Sequence, residues 1–251
     1  MPPMTGAAEV EVEPLEFEAF GATRHAFAAS PSEAPSSVAM ILSGVAIFGL
    51  DADLPASRGL LEFGQALGES LHASGRAFVR LEPFHAERDA EGCVAAVRSL
   101  DEAIARRWPD AAPVRVGLSA AAPLIAVAGG DRPSTIFVLV SPPILETYGH
   151  RPDRLDLPLA KTLGISPEIA AELGALSPMH AGADVAPRAL VVHGSADRIV
   201  PPSDAIGWRA SLAAGGVEAA RIEVGFAGHD LEPCRDAVLD SIIRHLDEIG
   251  A

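Results

Sequence analysis

Three short stretches of this sequence hold residues suited to nucleophilic chemistry, and each follows an apolar run. In Val114-Arg115-Val116-Gly117-Leu118-Ser119-Ala120-Ala121-Ala122 a serine stands at a turn of small residues, with an Ala-rich helical segment after it. A nucleophile at a strand-to-helix turn is forced into a tight backbone conformation, so the residues two before and two after it must be small. Gly117 and Ala121 meet that demand, and Pro123 falls in the first helical turn, where its missing N–H costs little. The serine hydroxyl then stands beside a helix N-terminus, whose free N–H groups can stabilise an oxyanion. A Gly-x-Ser-x-Ala run arises easily by chance in an Ala-rich chain, and it gains weight from the other two stretches. Ala189-Leu190-Val191-Val192-His193-Gly194-Ser195-Ala196-Asp197 is an apolar strand ending in a turn that presents an acid. Ile222-Glu223-Val224-Gly225-Phe226-Ala227-Gly228-His229 is a strand followed by a Gly-framed loop that presents a histidine. Ser119, Asp197 and His229, each just past a strand and in that chain order, form the arrangement that a Ser–His–Asp triad requires on a parallel sheet.

Other reactive residues read more plainly. His193, at a strand end before the acid turn, suits a structural hydrogen bond better than catalysis. His85, and His150 and His180 further on, could face a pocket, but the bland reading is preferred for each. No pair of His, Cys, Asp or Glu has convincing metal-ligand spacing, so no catalytic metal is expected. Arg151 and Arg154 could hold a carboxylate or phosphate, though solvated surface arginines are commoner. Cys93 and Cys234 read as two reduced thiols, since two cysteines in a large chain make no disulfide framework.

The elements that must position these residues alternate. Short, mostly apolar runs at Val38–Leu42, Ala77–Leu81, Val114–Leu118, Thr135–Val140, Ala189–Val192 and near Ile222–Val224 fit strands buried on both faces, with Arg80 and Arg115 interrupting two of them. Helical segments at Gly59–His72, Ala90–Trp108, Asp204–Ala213 and Arg235–Ile249 lie between and after them. In the second of these Val94, Val97, Leu100 and Ala103 share one face, with Arg98, Asp101 and Glu102 off it. This pattern predicts βαβ units and a doubly wound parallel sheet in one α/β domain spanning 1–251. Upstream, Glu9 to Glu13 alternates acid with apolar and Leu15 to Glu18 does so again in the opposite phase. A half-exposed strand with a bulge or break at Pro14 is expected there, and Thr23–Ala28 as its hairpin partner across Gly21. One segment breaks the rhythm. The stretch at about 142–187 is rich in proline and too long for a crossover. Its apolar Leu157, Leu159, Leu163, Ile165, Ile169 and Leu173 suggest small helices, and it is read as a lid or cap insertion at the crevice.

Composition bounds the partners. The chain has 251 residues and a formal charge of −15, which disfavours nucleic acid and anionic membrane surfaces, because both reward clusters of Lys and Arg. The most apolar stretch, Val38 to Leu50, is too short for a membrane span and is broken by Ser43, Gly44 and Gly49. Met1 to Glu9 has neither a basic n-region nor an apolar h-region, so no secretion signal is read and a soluble cytoplasmic protein is the default. Association into a homo-oligomer stays open.

With these residues in view, the stretch from Val38 onward resembles the α/β-hydrolase superfamily. The His-Gly-x-x-Asp-x-x-Val-Pro turn at His193 to Pro201 and the Gly-His at 228–229 carry the resemblance. The region Ser177 to Asp197 is similar to small serine hydrolases of the dienelactone-hydrolase and prolyl-oligopeptidase-like branches, although dienelactone hydrolases proper carry Cys where this chain has Ser119. The resemblance implies an eight-stranded, mostly parallel sheet with helices on both faces. It also implies cofactor-free hydrolysis of an ester, thioester or amide. The apolar lid and the acidic surface favour a neutral or hydrophobic acyl group on a small-molecule ester or thioester. Many members have His-Gly after the third strand, where this chain has Ser43-Gly44-Val45. Backbone donors do not depend on the side chain, so the N–H groups of Ala120 and Val45 are the expected oxyanion hole. The altered loop also motivates an alternative, a protein of this fold that no longer hydrolyses and instead binds a ligand or acts as a cyclase or lyase.

Overall fold

The computed structural model describes residues 10–44, 55–81, 90–128, 135–144 and 188–251. Its strands are β1 (Glu13–Ala19), β2 (Ala22–Ala29), β3 (Ser37–Ser43), β4 (Ala77–Leu81), β5 (Ala112–Leu118), β6 (Ile136–Val140), β7 (Arg188–Gly194) and β8 (Glu218–Val224). They form one sheet in the order β1-β2-β4-β3-β5-β6-β7-β8. β1 and β2 make an antiparallel hairpin, β2 pairs antiparallel with β4, and every other pairing is parallel. The described helices are α1 (Pro55–Ala73), α2 (Ala90–Arg107), α3 (Ala121–Ala128), α4 (Pro202–Ala214) and α5 (Arg235–Glu248).

Near-continuous apolar runs are what central strands covered on both faces require, and β3 and β6 are buried at every position. Successive side chains of a strand point to opposite faces. Met40 and Leu42 of β3 accordingly join a core under α2, α3 and α4, with Val97, Leu100, Leu124 and Trp208. Ala39 and Ile41 join the opposite core under α1 and α5, with Phe63, Leu67, Leu71 and Ile242. The face of α2 read from its spacing, Val94, Val97, Leu100 and Ala103, is the buried one. Two arginines interrupt apolar runs without breaking the sheet. Arg115 is buried in β5, where Nη2 and Nε donate to the two carboxylate oxygens of Asp101 on α2, at 2.5 and 3.3 Å. Arg80 of β4 is half-buried, with its guanidinium 5.8 Å from the centre of the Phe27 ring.

The N-terminal strand differs from the expectation. Val10 to Val12 is irregular, and β1 begins at Glu13 and runs through Pro14. Among the described residues Val10 to Val12 pair with no strand, because the register reaches only Glu13 opposite Ala28. Pro14 is tolerated inside β1 because this is the outermost strand of the sheet. The hairpin itself turns on two residues, Phe20 and Gly21, both at positive φ (54° and 71°), the combination a tight two-residue turn needs. β8 starts at Glu218, earlier than its apolar end suggests, since on the other edge it needs no fully apolar face.

The parallel strands deliver their carboxyl ends to one rim, where ligands of such sheets bind. In register, Leu118 lies beside Val140, Val140 beside Val192, and Gly194 beside Val224. Of the insertion read at 142–187, residues 145–187 lie outside the described residues. Its root is held against α4, where Asp204 Oδ2 accepts the Ile144 N–H at 3.0 Å and Trp208 Nε1 donates to the Pro143 carbonyl at 3.0 Å. Among the described residues no helix is long and apolar enough to cross a membrane.

Candidate active site

Ser119 follows β5 directly and has φ +53°, a conformation unusual for a residue with a side chain. Two backbone hydrogen bonds hold it there. Its N–H donates to Val140 O at 2.8 Å, carrying the ladder one residue past the strand, and its carbonyl accepts the Ala122 N–H at 2.9 Å. The turn back into α3 is possible only over glycine at 117, where an added Cβ would lie 2.5 Å from Ala122 Cα. Ser119 is thereby a strained elbow, with buried Ala120 next to it at the start of α3.

Asp197 lies in the turn after β7. Its Oδ1 accepts the N–H groups of Ile199 at 2.8 Å and Val200 at 2.9 Å, so the side chain closes its own turn. Its Oδ2 lies 2.8 Å from Nδ1 of His229, whose Nε2 lies 3.0 Å from Oγ of Ser119. An ionised carboxylate only accepts, so Nδ1 carries the hydrogen and the lone pair of Nε2 faces the serine hydroxyl. Burial pushes the Asp197 carboxyl upward, but hydrogen bonds from His193 and His229, the charge of His229 and the Val200 N–H outweigh it. The group is held well below the usual carboxylate range and is an anion at neutral pH.

The loop carrying His229 is clamped to the acid turn. Ser195 N–H donates to Val224 O and Ala196 N–H to Ala227 O, both at 2.9 Å, and the Phe226 N–H donates to Ser195 Oγ at 2.9 Å. Phe226 and Leu231 take positive φ, 62° and 65°, to follow this path. The two turns meet backbone to backbone at Gly194, where a Cβ would lie 2.3 Å from Ala227 O.

The structure thus brings together Ser119, Asp197 and His229, with Ala120 adjoining. Val45, His85, His150, Arg151, Arg154 and His180 lie outside the described residues. His193 is fully buried beside the acid, with Nε2 3.2 Å from Asp197 Oδ2. Ser141 was not read from the sequence. It follows β6 directly, as Ser119 follows β5, with φ +48°, and its Oγ donates to the carbonyl of His229 at 3.2 Å. A serine immediately past an apolar run was the available signal. Among the described residues no group of three or more His, Cys, Asp or Glu side chains is arranged to hold a metal ion. Neither Cys93 nor Cys234 is in a disulfide.

No family model matches the chain, and no curated protein matches it. Solved structures do. Est1E from Butyrivibrio proteoclasticus aligns with a TM-score of 0.72 at 13% identity, over 95% of this chain and 99% of that one. An α/β serine hydrolase without lid from Xanthomonas campestris aligns at 0.64 and 13% identity, over 97% of each chain. A carboxylesterase from Lactobacillus plantarum aligns at 0.68 and 14% identity, over 96% of this chain and 98% of that one. The sheet order and these likenesses show that the chain has the α/β-hydrolase fold.

Proposed function

We propose that this protein is a carboxylic-ester hydrolase working through Ser119, His229 and Asp197. The observation that carries the reading is the unbroken relay of 3.0 Å from Ser119 Oγ to His229 Nε2 and 2.8 Å from His229 Nδ1 to Asp197 Oδ2, at the carboxyl rim of the sheet. In the proposed reaction Ser119 Oγ attacks the substrate carbonyl while His229 Nε2 takes its proton. The resulting imidazolium sits against the anionic Asp197, whose remaining lone pairs are already satisfied, so its charge is oriented before the reaction begins. The tetrahedral oxyanion forms beside the Ala120 N–H at the start of α3, while Val45, the second donor assigned by sequence, lies outside the described residues. Collapse expels the alcohol, which receives its proton from His229, and water then resolves the acyl-enzyme by the same path in reverse.

Esterases and a carboxylesterase among the fold neighbours support ester cleavage as the chemistry. An acidic chain with an apolar insertion supports a neutral or hydrophobic acyl group on a small-molecule ester or thioester, within a single domain capped at about 142–187. The test is a series of p-nitrophenyl esters of rising acyl length, run on wild type and Ser119→Ala. Hydrolysis by wild type alone is expected. A folded wild type that cleaves none of them, or a Ser119→Ala variant that keeps a tenth of the turnover, overturns the reading.

A further inference from the structure

The geometry points to His193 as a positioning residue that acts on the reaction through Asp197, an inference that rests on the hydrolase reading above. His193 is the penultimate residue of β7 and is fully buried. Its Nε2 lies 3.0 Å from the carbonyl of Val200 and 3.2 Å from Oδ2 of Asp197. A carbonyl oxygen can only accept, so Nε2 carries the hydrogen and directs it between these two acceptors. Among the described residues its buried Nδ1 has no hydrogen-bond partner, so a proton there would be a donor with nothing to donate to, and the Nε2–H tautomer is the one these surroundings accommodate.

The consequence falls on Oδ2. Oδ1 of Asp197 is held by the N–H groups of Ile199 and Val200, whereas Oδ2 receives Nδ1–H of His229 on one side and Nε2–H of His193 on the other. Four donors on a carboxylate with about four acceptor sites leave it one orientation. Among the described residues, the one donor left on Oδ2 without His193 belongs to the catalytic base itself, whose ring moves charge in every cycle. His193 is a donor from the rigid sheet that keeps Oδ2 in place whichever protonation state His229 holds. It also ties Val200, at the far side of the turn, to β7, so that the acid turn closes around the carboxylate.

The test is a double-mutant cycle on the full chain. His193→Leu and His193→Gln are made in wild type and in Asp197→Asn, with p-nitrophenyl acetate turnover and thermal melting measured for each. A Gln amide can bring an N–H close to the Nε2 position, whereas Leu fills the space without a donor. His193→Leu is expected to lower kcat about 10- to 100-fold with KM little changed, the size of one hydrogen bond to a charged group. His193→Gln should recover most of that loss. In the Asp197→Asn background the Leu substitution should cost little more, about threefold at most, because the group it acts through is already disabled. The inference is overturned by a Leu variant with wild-type kcat, by a Gln variant no better than Leu, or by the same fold-loss in both backgrounds. If the Leu variant does not fold, His193→Asn, whose shorter amide cannot reach Oδ2, replaces it under the same criteria. A wild type that neither cleaves the ester nor takes a fluorophosphonate on Ser119 overturns the hydrolase reading and this inference with it. An active wild type with an indifferent Leu variant overturns this inference alone.

Discussion

At Gly194 the acid turn and the histidine loop pack backbone against backbone, with no room for a side chain. A Cβ at 194 would lie 2.3 Å from Ala227 O, 2.4 Å from Gly228 O and 2.8 Å from Ala227 C, all of them backbone. Close carbon–oxygen contacts settle at about 3.3–3.6 Å, so in Gly194→Ala the acid turn and the histidine loop must part by about 1 Å. The seam they share is crossed by the links Ala196 N–H to Ala227 O and Phe226 N–H to Ser195 Oγ, both 2.9 Å, and neither survives a gap of that size. Overpacking of this kind costs about 1–3 kcal/mol, or roughly 2 to 12 °C in Tm for a chain of this length. A misplacement of about 1 Å between acid and base costs on the order of 10²-fold in kcat/KM. The assay is p-nitrophenyl ester hydrolysis beside a thermal melt. The control is Gly225→Ala in the same loop, where a Cβ meets nothing within 4 Å and both readouts should match wild type. A Gly194→Ala protein with wild-type kcat/KM and Tm would refute the claim that contact at this glycine sets the distance between Asp197 and His229.

Other outcomes follow from the same geometry. Ser119→Ala and His229→Ala should each lower kcat by on the order of 10⁶, and Asp197→Asn by about 10⁴, with far-UV circular dichroism unchanged. Trp208→Phe removes the donor to Pro143 O that pins the root of the insertion, and should cost about 1 kcal/mol in urea unfolding while leaving acetyl-ester turnover intact. Asp197 also sets a pH dependence. Its folded pKa lies well below the unfolded value of ~3.9, so the stability it contributes is fully present above that value and is lost as pH falls from there toward the folded pKa. Below about pH 4 the difference in unfolding free energy between wild type and Asp197→Asn should therefore shrink, and a difference that widens there contradicts the assignment.

What the sequence made legible divides along physical lines. Central strands are readable because burial on both faces calls for an unbroken apolar run, Val38 to Leu42 in β3 and Ile136 to Val140 in β6. Edge strands are less legible, because Glu218 to Arg221 need only half-burial and Val10 to Val12 alternate but pair with no strand among the described residues. Arg115 looked like an interruption because its partner Asp101 lies on the preceding helix, a pairing no local pattern displays. The order Ser119, Asp197, His229 was legible because a parallel sheet sends each strand end to the same rim. The supports of that site were not. Ser141 reaches His229, and Gly194 admits the histidine loop, across long sequence separations that only the assembled sheet closes. His193 was read as a structural hydrogen-bonding residue. Its position explains why, since one N–H serves both the Val200 carbonyl and the Asp197 carboxylate.

The central claim is that Ser119 is a nucleophile activated by His229, and reaction with a fluorophosphonate tests it most directly, because the reagent needs no knowledge of the substrate. The purified chain is incubated with the reagent, the adduct is located by peptide mass spectrometry, and its rate of formation is compared among wild type, Ser119→Ala and His229→Ala. A single adduct on Ser119 is expected in wild type, none in Ser119→Ala, and formation slowed by on the order of 10³ or more in His229→Ala. A folded wild type that forms no adduct, an adduct on another residue, or a His229→Ala protein labelled at the wild-type rate would contradict it.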